Sequence, residues 1–178
     1  YDGSSSYAKL IDNESVSYTN SMWQTSTPHY WSGTSSKTIH FYAYYSTTIS
    51  NSITHTAGSA PTLTYTVPDD VANQSDIIVA KNTGVAGNTM TSTALSFNHI
   101  FAAVQFSVGT SGMPSGTITK ITLNNIQYTG TYSFDGTWTP NTTDLHSFSQ
   151  IVSASSNAGT VITSVETTFM MMPQTLNS

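Results

Sequence analysis

Residues 94–108 read ALSFNHIFAAVQFSV, from Ala94 to Val108, and the spacing of their large side chains decides the fold. Leu95, Phe97 and His99 fall on odd positions, whereas Val104, Phe106 and Val108 fall on even ones. Successive side chains of a strand point to opposite faces. A change of parity inside one apolar run therefore marks a bulge, or a bend that carries the chain from one packed sheet to another. The spacing predicts a sandwich corner at Asn98, His99 and Ile100, with Phe101 and Ala102 entering the second layer.

The flanking sequence follows the same period. In Thr38–Ser46, TIHFYAYYS, Ile39, Phe41, Ala43 and Tyr45 share one face while His40, Tyr42 and Tyr44 share the other. Aromatic residues on both faces predict a central strand, with the second set packing under a loop or a partner. Val16 and Tyr18 alternate, as do Leu63, Tyr65 and Val67, and Pro68 stops the latter strand because it offers no N–H to a ladder. A loop is expected through Trp23, Pro28 and Gly33, another from Thr47 to Pro61, and turn chemistry over Asn82–Gly87. The gap between Ile118 and Ile121 predicts a bulge, and Asp135-Gly136, between Phe134 and Thr137, predicts a two-residue type I′ hairpin. The last strands are expected over Leu145–Val152 and Val161–Met172. Helical periodicity is absent, so the fold class is all-β: a two-sheet antiparallel β-sandwich with Phe41, Phe97 and Phe106 in its interior.

Composition narrows the function. The 178 residues suffice for one domain, 1–178, with a substantial core. Only 7% are charged, and Ser, Thr, Asn, Gly and Tyr supply the surface, which suits strands and an exterior position. Four Lys, no Arg and nine acidic residues give a net charge of −5, which leaves no basic patch for nucleic acid. With no Cys, neither disulfides nor thiolate metal sites can form. No apolar run approaches the ~20 residues of a membrane-spanning helix.

Catalytic chemistry finds little support in these residues. His29, His40, His55, His99 and His146 form no ligand spacing for a metal, and no cofactor motif is present. His99 is expected to donate to a nearby carbonyl. Serine is abundant, but no G-x-S-x-G elbow occurs, and Ser6-Tyr7-Ala8-Lys9 lacks the partner motifs that would give S-x-x-K a catalytic meaning. Asp69-Asp70 and Asp12-Asn13-Glu14 read as turns. The residues best suited to a binding patch are Trp23, Tyr30 and Trp31, because sugars stack their C–H faces on aromatic rings. Packing is the more ordinary role of such side chains, and of Trp138.

Seven pieces in order carry a resemblance: Tyr30-Trp31-Ser32-Gly33, IHFYAYYS at Ile39–Ser46, VPDD at Val67–Asp70, SDIIVA at Ser75–Ala80, LSFNHIFAAVQF at Leu95–Phe106, ITLNNIQYTGTY at Ile121–Tyr132 and FMMMPQTL at Phe169–Leu176. Together they resemble the N-terminal domain of the fimbrillin-like family, Bacteroidetes-type surface pilus subunits and related lipoproteins. The resemblance implies a transthyretin-like, Greek-key sandwich with a second domain expected downstream. It also implies a structural, tip or accessory subunit of a fimbria, displayed outside the cell on the outer membrane through an upstream lipid anchor. Its partners would be other fimbrial subunits, each giving a donor strand to the groove of the next, with no catalytic residues and no cofactor. Family maturation often uses an arginine-specific protease; without Arg, any such cut lies upstream or does not occur. The alternative is a non-polymerising surface adhesin that binds a host or bacterial glycan or protein through Trp23, Tyr30 and Trp31.

Overall fold

The computed structural model describes residues 10–46, 48–56, 58–111 and 113–175. The Ser6–Lys9 motif, the Tyr1 end and Leu176 lie outside them. The described chain is all-β, with thirteen strands and three short 3-10 turns. The strands are β1 (Val16–Thr19), β2 (Met22–Thr25), β3 (Thr38–Tyr45), β4 (Ile53–Thr54), β5 (Thr62–Thr66), β6 (Ile78–Ala86), β7 (Phe97–His99), β8 (Ala102–Val104), β9 (Thr117–Gln127), β10 (Thr129–Ser133), β11 (Thr137–Pro140), β12 (Leu145–Ser155) and β13 (Phe169–Met171). All pairings are antiparallel. They form sheets of order β11-β10-β5-β4 and β3-β6-β7, and the pairs β12-β9, β13-β8 and β1-β2.

The parity change at residues 94–108 is the transfer between sheets. Phe97–His99 pairs with β6, the buried Ile100 and Phe101 make the turn, and Ala102–Val104 pairs with β13. The corner sits one residue later than the spacing indicates. Which face is covered also differs, since Phe97 is 45% exposed. It lies on β7, the outer strand of its sheet, so the odd side of this run turns to solvent and the interior is filled instead by Ile100 and Phe101. Phe41 and Phe106 are half-buried, against Trp31 and Phe169 respectively.

One cluster joins the sheets: Leu63 and Val67 from β5 and its end, Val79 from β6, Ile126 from β9, Tyr132 and Phe134 from β10 and its turn, Phe148 from β12, and Phe169 and Met172 from β13 and its end. Fully burying side chains of this size stabilises the fold by about 1.5–3 kcal/mol each. Buried Gln74 ties the layers by hydrogen bonds, its Nε2 donating to Pro68 O and its Oε1 accepting from Met170 N.

Several local expectations are revised. Trp23 lies on β2, within a hairpin, because Asn20 and Ser21 both adopt positive φ and turn the chain tightly. Residues 48–56 and 58–61 of the long polar connection include β4, and they add the buried Ile49 to the core. Residues 82–86 continue β6, with Gly84 at φ +74° opposite the register shift between Ile39 and Phe41. The irregularity expected near Ile118–Ile121 falls on the partner strand, between Ile151 and Ala154. The Asp135-Gly136 hairpin closes with three residues, Phe134–Gly136, of which only Gly136 has positive φ, and Gly136 N donates to Ser133 O. The expected final strand is strand only over Phe169–Met171, preceded by the 3-10 turn Val165–Thr167.

Candidate functional site

Two surfaces stand out. The first is a groove of about 1000 Å3 beside β3. The spacing predicts β3 at the centre of a sheet, but among the described residues it is the outer strand of β3-β6-β7. Its aromatics are covered by other means: Tyr42 and Tyr44 meet Phe134 edge-on from one side, and Trp31 meets Phe41 from the other. Side chains of both parities, Ile39 and Phe41 as well as Tyr42 and Tyr44, line the groove, as they do along an open strand edge. Across it lies Ile53 of β4, the outer strand of the other sheet. Leu10–Asn13 enter from the N-terminal side, and Tyr44 OH donates to Asn13 Oδ1. Burial holds the His40 imidazole below its ordinary pKa.

The second surface is the β1-β2 hairpin, which pairs with no other strand among the described residues. Tyr18 faces Trp23 across it, ring centroids 5.5 Å apart, and both are open to solvent, Tyr18 at 62% and Trp23 at 71%. Val16 lies on the same face and is exposed too. The hairpin is rooted by Glu14. Its carboxylate accepts from Ser26 Oγ at 3.1 Å, from Thr27 N at 3.2 Å and from His29 Nε2 at 2.6 Å. Those hydrogen bonds, His29's foremost, hold the Glu14 carboxyl below the usual carboxylate range.

The residues singled out for binding differ in their contacts and exposure. Trp23 contacts Tyr18 and Trp31 contacts Phe41, while Tyr30 is 80% exposed; among the described residues no ring contact joins any two of the three. Trp138 packs between Phe101 and Tyr132, and its Nε1 donates to Ile100 O at 2.7 Å. Tyr18 was missed as a partner of Trp23. The signal was Asn20-Ser21 between two short runs, overlooked because a type I′ turn is most readily recognised with Gly in second place. His99 does not meet a carbonyl: its exposed ring lies 2.5 Å from Asp76, just as His146 meets Asp69 at 2.8 Å. Asp70 accepts from Ala72 N and caps the 3-10 turn Val71–Asn73, a local role that accounts for it. Among the described residues no group of three or more His, Asp or Glu side chains is placed to hold a metal.

Strand edges left open among the described residues, and a sparsely charged, hydroxyl-rich exterior, are features of a part that meets other macromolecules. No curated protein and no solved structure matches the chain. A family model described as fimbrillin-like matches residues 2–178, the whole chain but its first residue. The chain therefore belongs to the fimbrillin-like family, and with it to the structural subunits of extracellular fimbriae.

Proposed function

We propose that this subunit joins its neighbours by strand addition, a strand of the adjoining subunit lying along β3 in the groove that β3 shares with β4. The observation that carries this reading is that, among the described residues, β3 has a strand on one side only, with aromatic and aliphatic side chains lining the space on the other. An added strand supplies ladder hydrogen bonds, each worth about 0.5–1.5 kcal/mol net, and sets alternate side chains against Ile39, Tyr42 and Ile53. Such a strand-to-groove contact is heterologous, and it propagates as a filament where the rotation between subunits does not close into a ring. The same reading carries a lipid-anchored precursor on the outer membrane and a structural or tip position in the fimbria. Lipid analysis of the natural precursor and immunogold labelling test those two points.

The chain has no Cys, so a single introduced thiol is a clean probe. Thr83→Cys lies in the groove wall on an exposed position of β6. The thiol is expected to react with a maleimide in the monomer and to be protected in isolated fimbriae. Equal reactivity in both would overturn strand addition at this groove and favour the non-polymerising adhesin, a reading for which the open rings of Trp23 and Tyr30 also speak.

A further inference from the structure

The chain builds the same aromatic pair twice. On β10-β11, Tyr132 faces Trp138 with centroids 5.2 Å apart and planes at 53°; on β1-β2, Tyr18 faces Trp23 at 5.5 Å and 54°. The first pair is covered by Phe101 and Phe134, and its indole N–H is bonded to Ile100 O. The second has the same shape, but nothing among the described residues lies over it, and neither the Trp23 indole N–H nor the Tyr18 hydroxyl has a protein partner there. Its turn is well formed and its base is fastened by Glu14, so the pair is held outward on a built support.

The chemistry around the pair selects the occupant. From Ser15 to Pro28 there is no charged residue, and the positions between the apolar ones are Ser17, Thr19, Asn20, Ser21, Gln24 and Thr25. A charged partner, whether nucleic acid, an acidic peptide or an anionic lipid surface, finds no complementary charge here. A ligand with apolar C–H faces, many hydroxyls and no charge matches both the rings and their surroundings. We propose that the Tyr18–Trp23 face of the β1-β2 hairpin binds an uncharged oligosaccharide, one sugar ring stacking on Trp23 while neighbouring hydroxyls bond the indole N–H and the flanking amides and hydroxyls. The site lies on the hairpin, not in the groove beside β3, so it stands whether or not that groove accepts a strand.

The test uses the full 178-residue chain with its three tryptophans replaced by 5-fluorotryptophan and followed by fluorine NMR. Trp23→Phe assigns the Trp23 resonance. Cellohexaose, mannohexaose, chitohexaose, laminarihexaose and lacto-N-tetraose are titrated to about 10 mM, the weak end of useful affinity, with sialyllactose as the charged comparison. At least one neutral sugar is expected to shift the Trp23 resonance saturably while leaving that of Trp138 in place. Trp23→Ala and Tyr18→Ala, whose rings meet only each other among the described residues and which are therefore expected to fold, are each expected to weaken binding at least tenfold, read for both from saturation transfer to the sugar's own protons because Trp23→Ala lacks the fluorine reporter. The proposal is overturned if no neutral sugar moves the resonance, if sialyllactose alone does, or if Trp23→Ala binds as well as the parent chain. It is overturned equally if the resonance shifts with protein concentration alone, because a second copy would then be the occupant.

Discussion

Two hairpins with one geometry have opposite fates in this molecule. Tyr132–Trp138 and Tyr18–Trp23 are cross-strand pairs of almost the same spacing and tilt, yet Tyr132 is 6% exposed while Tyr18 lies open on the surface. An aromatic pair contributes only about 0.5–1.5 kcal/mol beyond the area it buries. The ring contact is common to both, so the difference in stabilisation lies in what covers the far side. For the inner pair that is Phe101, Phe134 and the carbonyl of Ile100. The outer pair has no such cover among the described residues. The inner hairpin is therefore part of the fold, and the outer one is carried by it.

Truncating the tryptophans separates these roles most sharply. Trp138→Ala removes a packed ring and leaves the Ile100 carbonyl without its donor. It is expected to cost about 3 kcal/mol, which for a chain of this length lowers Tm by roughly 6–12 °C. Trp23→Ala is expected to stay within about 0.5 kcal/mol of the parent chain, as surface changes usually do. Thermal unfolding of both variants side by side is the measurement. Comparable losses would mean that the outer pair is also covered.

A backbone test of the same contrast follows, with a smaller effect. Gly130 on β10 has no room for a side chain, since an added Cβ would lie 2.9 Å from both Pro140 Cα and Thr139 O and 3.3 Å from Met172 Sδ. Backbone atoms cannot step aside as a flexible side chain can, so β10 and β11 must separate. Gly130→Ala is expected to destabilise the chain by about 1–3 kcal/mol in denaturant unfolding. Ser17→Ala on the exposed β1 should leave the midpoint unmoved.

The contrast also shows what the sequence could convey. Alternation tells which side chains share a face, and parity therefore located the passage between sheets around Ile100 and Phe101. It does not tell which face is covered. Phe97 reads as interior, and packing is the more ordinary role for Trp23, yet both turn outward because nothing among the described residues lies over that side of their strands. Conversely Ile49, alone in a polar stretch, is drawn inside by the sheets around it. The groove was hidden for a related reason. Apolar residues on both faces of β3 suggest a central strand with a loop or a partner over one set; cover from a loop is found, Trp31 over Phe41, but among the described residues only one edge of β3 has a neighbouring strand. Of the residues named for binding, Trp23 and Tyr30 are exposed, and the pairing of Trp23 with Tyr18 depends on a hairpin set by a two-residue turn.

The smallest expected effect is confined to the outer hairpin, and it depends on pH. Glu14 fastens the base of β1-β2 by accepting from His29, Thr27 and Ser26, and these hydrogen bonds hold its carboxyl below the ordinary value of 4.5. A group whose pKa is lower in the folded state binds its proton more readily when the clamp is open. The clamp's contribution is therefore complete above the ordinary value and is lost as pH falls through the lowered one. Amide exchange in β1 and β2, corrected for the intrinsic pH dependence of exchange, should lose protection in that acidic window. β10 and β11, which do not lean on Glu14, should keep theirs. Glu14→Gln should remove the step, because an amide cannot lose a proton there and its oxygen accepts less strongly than a carboxylate. If β1-β2 and β10-β11 instead lost protection together, the outer hairpin would be coupled to the core, and the separation between the carried pair and the carrying fold would fail.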